Sequence, residues 1–310
     1  MNAALEFFVS YLLFPGIIFS FIFGQLFEGI DRKIAAHMQS RIGPPILQPF
    51  YDIGKLFTKE DITPEKSQSF FFNGAPLIAF GAVITAMIMI PVTGVIEPLG
   101  GSLSLIVVLY LLNIPAIALI IGGYASSSPF GVLGSNRYII QLIGYELIFI
   151  ITAITAAVHA GSYNLASGFG NWFIFRAPLA AAAMLLAVPG KLLKTPFDIP
   201  EAETEIVMGP LTEYSGPKLA LFKLTHNIEL LAIAGLFTAL FLGGPVSVTI
   251  GAVTIPGVVT FLIQALVVAI LITLIRCVTA RLRIHQALKF YWGPIGFVAF
   301  LSLILAVMVW

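Results

Sequence analysis

Residues 192–216, LLKTPFDIPEAETEIVMGPLTEYSG, form a polar segment between two long apolar stretches. In a short helix, Asp198, Glu201 and Glu205 would share one face of the segment. In an extended segment, Glu201, Glu203 and Glu205 would line one side instead. Either arrangement places several carboxylates close together beside the apolar part of the chain.

Carboxylates that lie this close cannot all stay ionised at their ordinary pKa values. The pattern therefore predicts that at least one member has a raised pKa and that the segment holds and passes protons. A solvated loop with ordinary surface charge is the alternative, and the residues alone leave it open. The charged residues of the segment, here called the acidic segment and spanning about 194–216, are Lys194, Asp198, Glu201, Glu203, Glu205 and Glu213.

Composition sets the class of protein. The chain is 59% hydrophobic and 10% charged, with a mean hydropathy of +1.01, whereas a soluble domain carries about 25% charged residues. Cys277 is the only cysteine, so this chain alone supplies neither an internal disulfide nor the ligands of an iron–sulfur cluster or a structural zinc ion. The sequence contains no basic patch with interleaved aromatics, the pattern that would indicate a nucleic-acid partner. These features predict a protein embedded in a lipid bilayer.

Hydropathy predicts an all-α fold, a single membrane domain over residues 1–310 with eight transmembrane helices, since one span needs about 20 mostly apolar residues. Of the 16 Lys and Arg residues, only Arg176 falls in a loop on the side opposite to the others. Because basic loops stay in the cytoplasm, both termini are predicted on the outer side of the membrane. The predicted spans are residues 7–29, 74–93, 103–124, 137–158, 177–193, 219–243, 256–277 and 290–310.

The first cytoplasmic loop, about residues 31–73, contains LQPFYDIGKLFTKED. A helix over this stretch would separate an apolar face from a charged one, which predicts an interfacial amphipathic helix. It either lies on the lipid as an anchor or roofs an opening from the membrane. Arg32, at the start of this loop, suits the membrane boundary, where a long basic side chain can anchor a helix end. The apolar face is predicted to hold Phe50, Ile53, Gly54 and Phe57, with Asp52, Lys55 and Lys59 away from it.

The fourth predicted span contains Gln141, Tyr145 and Glu146. A carboxylate inside a span is costly and faces a polar interior or water. Glu146 is therefore a candidate proton relay, and the alternative is a structural glutamate that bonds to a neighbouring helix.

The sixth predicted span contains Lys223, His226 and Glu229, each three residues from the next and therefore on one stripe of a helix. No second His or Cys converges on them, so a metal site is not predicted. A single His in a span is usually a satisfied core histidine, and Lys223 would then simply lie at the cytoplasmic end. Three such residues in a row on one apolar helix are less easily explained in that way, which favours a functional stripe. The basic loop after the seventh span is predicted to anchor the topology and to offer a docking surface; it carries Arg276, Arg281, Arg283, His285 and Lys289.

Three long motifs carry a resemblance to a known family. They are DRKIAAHMQSRIGPP with LQPFYDIGKLFTKE, then GGYASSSPFGVLGSNRYIIQLIGYE, then TPFDIPEAETEIVMGPLTEYSG. On these motifs the chain resembles the membrane subunit of respiratory complex I called subunit 1 or the H subunit, nearly end to end. The resemblance implies eight tilted helices, a peripheral arm that bears iron–sulfur clusters, and a carboxylate-rich route that links redox chemistry to ion movement. It implies that the acidic segment and Glu146 belong to this route and that Arg41 belongs to the R-x-G-P motif of the first loop.

The departures from the family are informative. The first loop reads RIGPPILQP and lacks several residues that the quinone-reducing members have there. Lys194 stands where the family has Arg, Asp31 where it commonly has Glu, and His226 aligns with a family glutamate. The shortened loop resembles the version found in ferredoxin-linked energy-converting hydrogenases, formate hydrogenlyase and related sulfur-reducing complexes.

The resemblance therefore implies a membrane subunit that couples a ferredoxin-dependent nickel–iron hydrogenase to proton or sodium translocation. It implies no cofactor in this chain, and iron–sulfur clusters and a nickel–iron centre in a small and a large peripheral subunit. Antiporter-like membrane subunits and the bilayer are the other expected partners. Alternatives are a sulfane-sulfur reductase, a quinone-reducing complex I and, from a different class, a stand-alone ion-coupled transporter. The expected path residues are Glu146, the acidic segment, His226 and Glu229, with Lys194, Arg41, Asp31, Arg32, Gln141 and Tyr145 as modulating groups.

Overall fold

The computed structural model describes residues 12–93, 101–250 and 253–309. This part of the chain is predominantly helical, with one short antiparallel hairpin that pairs Val248 with Ile255. Two 3-10 turns, Leu165–Gly168 and Gly209–Leu211, and a π-helical turn, Tyr291–Ile295, connect longer elements. The helices and strands are α1 Ile17–Met38, α2 Gln48–Phe57, α3 Ser69–Met89, α4 Ser104–Leu111, α5 Ile114–Ala125, α6 Pro129–Ala160, α7 Phe173–Arg176, α8 Pro178–Lys191, α9 Glu203–Ile206, α10 Gly216–Phe241, β1 Val248–Ile250, β2 Val253–Ile255, α11 Gly257–Val278, α12 Ile284–Phe290 and α13 Gly296–Val309.

Six helical stretches in the described residues are long and apolar enough to cross a membrane. They correspond to the second, third, fourth, sixth, seventh and eighth predicted spans, so the several apolar helices of a multi-pass membrane protein are present. The candidate spans are Ser69–Met89, Ser104–Ala125, Pro129–Ala160, Gly216–Phe241, Gly257–Val278 and Ile284–Met308.

The first and fifth predicted spans differ from this set. The first was placed at residues 7–29, of which 7–11 lie outside the described residues; α1 instead runs from Ile17 to Met38. Its second half carries Glu28, Asp31 and Arg32, so Asp31 and Arg32 belong to a helix rather than to the loop in which the sequence predicted them. The fifth corresponds to α8, which has 14 residues and at 1.5 Å per residue spans about 21 Å, short of an apolar core about 30 Å thick.

The third predicted span is broken. Helix α4 ends at Leu111 and α5 begins at Ile114, with Asn113 between them. Pro115 has no amide hydrogen to donate back to the preceding turn, which accounts for the break. The interruption brings a polar side chain into the middle of an otherwise apolar stretch.

The amphipathic pattern of the first loop coincides with α2, but the buried face differs from the prediction. Pro49, Ile53 and Leu56 are the buried residues of α2. Gly54 and Phe57, which the sequence placed on the apolar face, are exposed. The helix is only ten residues long and packs on α10 and α1, so the neighbouring helices decide which side is covered.

Helix α10 is the centre of the molecule and is almost completely buried. It packs against α1, α3 and α11, with α2 across its N-terminal half. By contrast, α11 and the last long helical stretch are only one third buried. Charged groups on α10 therefore face protein, whereas the outer helices leave apolar surface for lipid or partner subunits.

Candidate functional site

The acidic segment is mostly turns, with the four-residue α9 beginning at Glu203. It therefore matches neither the single short helix nor the extended segment that the sequence allowed. Its carboxylates point to different surroundings. Arg281 donates through Nε at 2.7 Å to Asp198, and Arg137 pairs with Glu205 at 2.5 Å, while Glu203 is exposed and Glu213 is half-buried.

Glu201 is the member of the acidic segment that turns inward. It lines a cavity of about 180 Å³ among the helices. Burial raises the pKa of the Glu201 carboxyl from its usual 4.5 to about 7, opposed by the positive charge of Lys223 and assisted by the negative charges of Asp198 and Glu203. Glu201 can thus change its protonation state near neutral pH.

The cavity collects charged groups from α1, α8, α10 and the acidic segment. Among its walls are His226 and Glu229 from the stripe on α10, together with Lys223 nearer the N-terminal end of that helix. Within the described residues, no cluster of three or more His, Cys, Asp or Glu side chains could hold a metal ion. Its lining residues are Glu28, Arg32, Pro115, Leu119, Tyr138, Lys191, Leu193, Glu201, Met208, Leu211, Phe222, Lys223, Thr225, His226, Asn227 and Glu229.

On one side of this cavity a buried ion-pair network joins α1 to the acidic segment. Lys194 Nζ lies 2.7 Å from Asp31 Oδ2 and 3.3 Å from Glu28 Oε2. Asp31 also accepts hydrogen bonds from Arg276 Nη1 at 2.7 Å and Thr273 Oγ1 at 2.5 Å. Asp31 is 2% exposed, so these cationic and hydroxyl donors keep it ionised away from water.

The network continues from Glu28 to the surface through Arg32. Arg32 Nε lies 2.9 Å from Glu28, and Arg32 Nη1 lies 2.9 Å from Asp52 on α2. Although partial burial acts to raise it, hydrogen bonds from Gln48 and Arg32 hold the pKa of Asp52 below its usual value. Charge is therefore continuous from the first-loop helix to the interior.

On the other side of the cavity, Glu146 forms a second buried cluster with two residues that the sequence reasoning did not select. Lys191 Nζ lies 3.1 Å from Glu146 Oε2, and Asn113 Nδ2 donates to Glu146 Oε1 at 2.6 Å. Lys191 also donates to Asn113 Oδ1. Glu146 thus has one cationic and one amide partner from other parts of the bundle, so both interpretations drawn from its position stay open.

Gln141 and Tyr145 support this second cluster. Gln141 Nε2 donates to the backbone oxygens of Gly190 at 2.8 Å and Phe197 at 2.7 Å, which fixes the end of α8 where Lys191 lies. Tyr145 is fully buried, and its ring centroid is 5.5 Å from the Lys191 ammonium. Arg41, in contrast, is exposed and bonds to the neighbouring Gln39, so the structure does not bring it to the cavity.

Glu28 and Lys191 are the main residues that the sequence reasoning missed. The signal was present, because both fall inside predicted spans, where an ionisable group is costly and marks a functional position. Glu28 is also four residues before Arg32, the spacing of an ion pair on one helix face. Asn113 offered no comparable signal, since a single amide in an apolar run is common.

The fold and this cavity define a multi-pass membrane protein with an ionisable interior. The family model described as NADH dehydrogenase matches residues 11–307. The H subunit of NADH-quinone oxidoreductase from Geobacillus kaustophilus (strain HTA426) is 33% identical over 321 residues, covering 99% of this chain and 95% of the relative. The same subunit from Bacillus thuringiensis (strain Al Hakam) is 33% identical over 319 residues, covering 98% and 95%. The chain therefore belongs to the NADH dehydrogenase family that contains this membrane subunit of complex I, which confirms the resemblance seen in its motifs.

A solved structure agrees over the full length. A chain of the membrane-bound sulfane sulfur reductase, described as an archaeal respiratory membrane complex, superposes with a TM-score of 0.86 at 27% identity. The match covers 99% of this chain and 100% of that one. The present chain and this subunit of the archaeal complex thus share one helical architecture.

Proposed function

We propose that this chain is the coupling subunit of a multi-subunit respiratory membrane complex and links redox chemistry in a peripheral arm to the movement of protons or sodium ions. The observation that carries the proposal is the cavity of about 180 Å³, whose walls include Glu28, Lys191, Glu201 and Glu229. Ionisable groups inside a membrane protein are expensive and mark ion paths. Four of them on one cavity, contributed by separate elements, give a route rather than a single pair.

In this proposal Glu201 is the receiving group. It lies between the cytoplasmic surface and the cavity, and its pKa of about 7 lets it take up or release a proton at small cost. His226, Glu229 and Glu146 continue the path into the helices. Lys194 sets the resting charge of the ion-pair network around Asp31 and Glu28. Arg32, Gln141 and Tyr145 are the other modulating groups, whereas Arg41 lies away from the cavity and is not retained in this role.

The outer part of the acidic segment serves a different purpose, docking of a peripheral subunit. A second cavity of about 400 Å³ lies on the side that we propose faces the cytoplasm; it is lined by Asp198, Glu205, Arg137 and Arg281, with Arg283 and His285. Mixed charges at such a rim favour a specific charged partner. The partners proposed are a large subunit and an iron–sulfur small subunit, which would hold the iron–sulfur clusters and a nickel–iron centre, while this chain binds no cofactor.

A membrane partner is supported by Asn113. It lines an apolar groove of about 320 Å³ on the outside of the bundle, together with Tyr110 and Tyr163. Interrupted backbone at membrane depth is tolerated where other protein covers it, which favours an antiporter-like subunit on this face.

The full topology is also a proposal: eight spans, with both termini outside the plasma membrane of a prokaryote. Helices α1 and α8 complete the count, since α1 packs on α10 and α11, and α8 packs on α6 and α13. Both therefore run within the bundle with the six candidate spans. The short α8 is compensated by the buried turns of residues 192–200 at its end.

For the redox partner we propose a ferredoxin-oxidising nickel–iron hydrogenase, because the first loop is shortened where quinone-reducing members are longer. A sulfane-sulfur reductase is the second candidate, favoured by the full-length match to the archaeal complex of that name. The names of the sequence relatives favour a quinone-reducing enzyme as the third.

The test is to purify the complex from native membranes in mild detergent and to supply reduced ferredoxin. Hydrogen evolution supports the hydrogenase assignment, sulfide release from polysulfide supports the second candidate, and inhibitor-sensitive quinone reduction supports the third. If the chain purifies alone or as a homo-oligomer and carries ions without a redox partner, it is a secondary transporter and the coupling role is wrong.

A further inference from the structure

Lys191 is the most deeply buried cation among the described residues of the cavity wall, with 1% of its surface exposed. It lies in the last turn of α8 and contacts Glu146 at 3.1 Å. A buried ammonium is retained only where a partner compensates its lost hydration. Neither the acidic segment nor the charged stripe of α10 includes Lys191, so its role needs its own explanation.

A second carboxylate lies across the same cavity. Glu229 is 5% exposed and lines the cavity together with Lys191. The charged side chains that act on Glu229 are those of Lys191 and Glu146. One ammonium therefore serves two buried carboxylates, and at low dielectric it can keep only one of them ionised at a time.

We propose that Lys191 is a switching residue whose ammonium moves between Glu146 and Glu229. In the resting state of this switch, Lys191 and Asn113, which both contact Glu146 here, hold it as a carboxylate while Glu229 carries a proton. In the alternative arrangement Lys191 contacts ionised Glu229, and the proton lost by Glu229 is bound by Glu146. Lys191 stays protonated throughout, so one proton moves and the total charge of the three groups does not change.

The local structure permits this motion and limits it to the side chain. Lysine carries its charge on a flexible four-carbon stem, and a cavity of about 180 Å³ has room for several water molecules to carry the proton. The backbone beneath it is fixed, because Gln141 donates to Gly190 and to Phe197. Lys194, three residues further on, is held separately by Asp31 at 2.7 Å.

The expected effect on ion movement rests on the proposed coupling function. The exchange of a proton between Glu146 and Glu229 does not. The experiment uses the intact purified complex with Lys191→Met, which keeps the length and removes the charge. Two readouts are compared: ion movement per redox turnover in vesicles, and the infrared band of protonated carboxyl groups, assigned with Glu146→Gln and Glu229→Gln. Lys218→Met is the matched control, since Lys218 is also buried but pairs with Asp61 at 3.0 Å away from the cavity.

For Lys191→Met we expect ion movement per turnover to fall at least about tenfold, the factor that one pKa unit represents. The protonated-carboxyl band should grow, because both Glu146 and Glu229 then bind protons. The control should match the wild type. An unchanged infrared band in Lys191→Met would overturn the switch. Full coupling in the double variant Lys191→Met and Glu146→Gln would also overturn it, because the ion pair would then be purely structural.

If Lys191→Met does not assemble, Lys191→Arg replaces it. A guanidinium keeps the charge and holds Glu146 in a two-pronged contact, so we expect assembly with coupling reduced about tenfold; full coupling would overturn the switch. A wild-type complex that moves no ions would refute the proposed function alone, since the infrared band still reports whether Lys191 controls the two carboxylates.

Discussion

Replacement of Glu201 by glutamine tests the receiving group of the path. Glutamine keeps the shape and removes the proton that Glu201 exchanges. With a pKa of about 7, the wild-type carboxyl is about 90% protonated at pH 6 and about 10% protonated at pH 8. Coupled activity of the wild type should therefore vary with a midpoint near pH 7, and Glu201→Gln should lose that dependence together with most of the coupling.

The sign of the stability effect follows from the same pKa. Because the folded value lies above the usual 4.5, the stability that the protonated form provides is complete below pH 4.5 and is lost as the pH rises through 7. Above pH 7 the ionised carboxyl costs about 3 kcal/mol. Glu201→Gln removes this cost, so its assembly at pH 8 should equal or exceed that of the wild type.

The assay is ferredoxin-driven ion uptake by vesicles from pH 5.5 to 8.5, divided by redox turnover with an artificial donor. Lys223→Gln offers an internal check, because Lys223 lowers the Glu201 pKa and its removal should move the midpoint to higher pH. A wild-type profile without a transition near pH 7, or normal coupling in Glu201→Gln, would refute the assignment of Glu201 as the receiving group.

Three further perturbations have expected outcomes. Lys194→Met strips two buried carboxylates of a shared cation, which costs about 3–5 kcal/mol, so immunoblots should show little assembled protein; normal levels would mean that the network is dispensable. Glu205→Gln breaks an exposed pair with Arg137 worth less than about 1 kcal/mol, so the chain should stay intact while its partner dissociates at lower salt on native gels; unchanged salt sensitivity would remove Glu205 from the docking surface. In whole cells, an impermeant thiol reagent should label Ser102→Cys but not Glu65→Cys, and the reverse labelling would invert the topology.

The sequence predicted the class of the protein and most of its helices, because hydropathy is a local property that each stretch carries by itself. The six candidate spans fall where apolar runs occur. Helix α1 continues past its predicted span through Asp31 and Arg32, which hydropathy alone does not reveal. The long ordered motifs likewise identified the family, because a sequence motif can be recognised without knowing how the chain packs.

Which charges meet was decided by the tertiary structure. Lys194 and Asp31 are 163 positions apart and are joined only because the acidic segment folds back onto α1. The acidic segment was expected to gather its carboxylates, yet its turns send Glu201 inward and leave Glu203 exposed, because backbone direction sets the surroundings of each side chain.

The sequence by itself thus determined that ionisable groups enter the apolar bundle, and only the tertiary structure decided how they are paired. Lys191, Glu146 and Glu229 lie on three different helices, so no spacing along the chain relates them. Their proximity follows from the crossing of α6, α8 and α10 around one cavity. Electrostatic interaction depends on distance and burial, and both quantities exist only in the folded molecule.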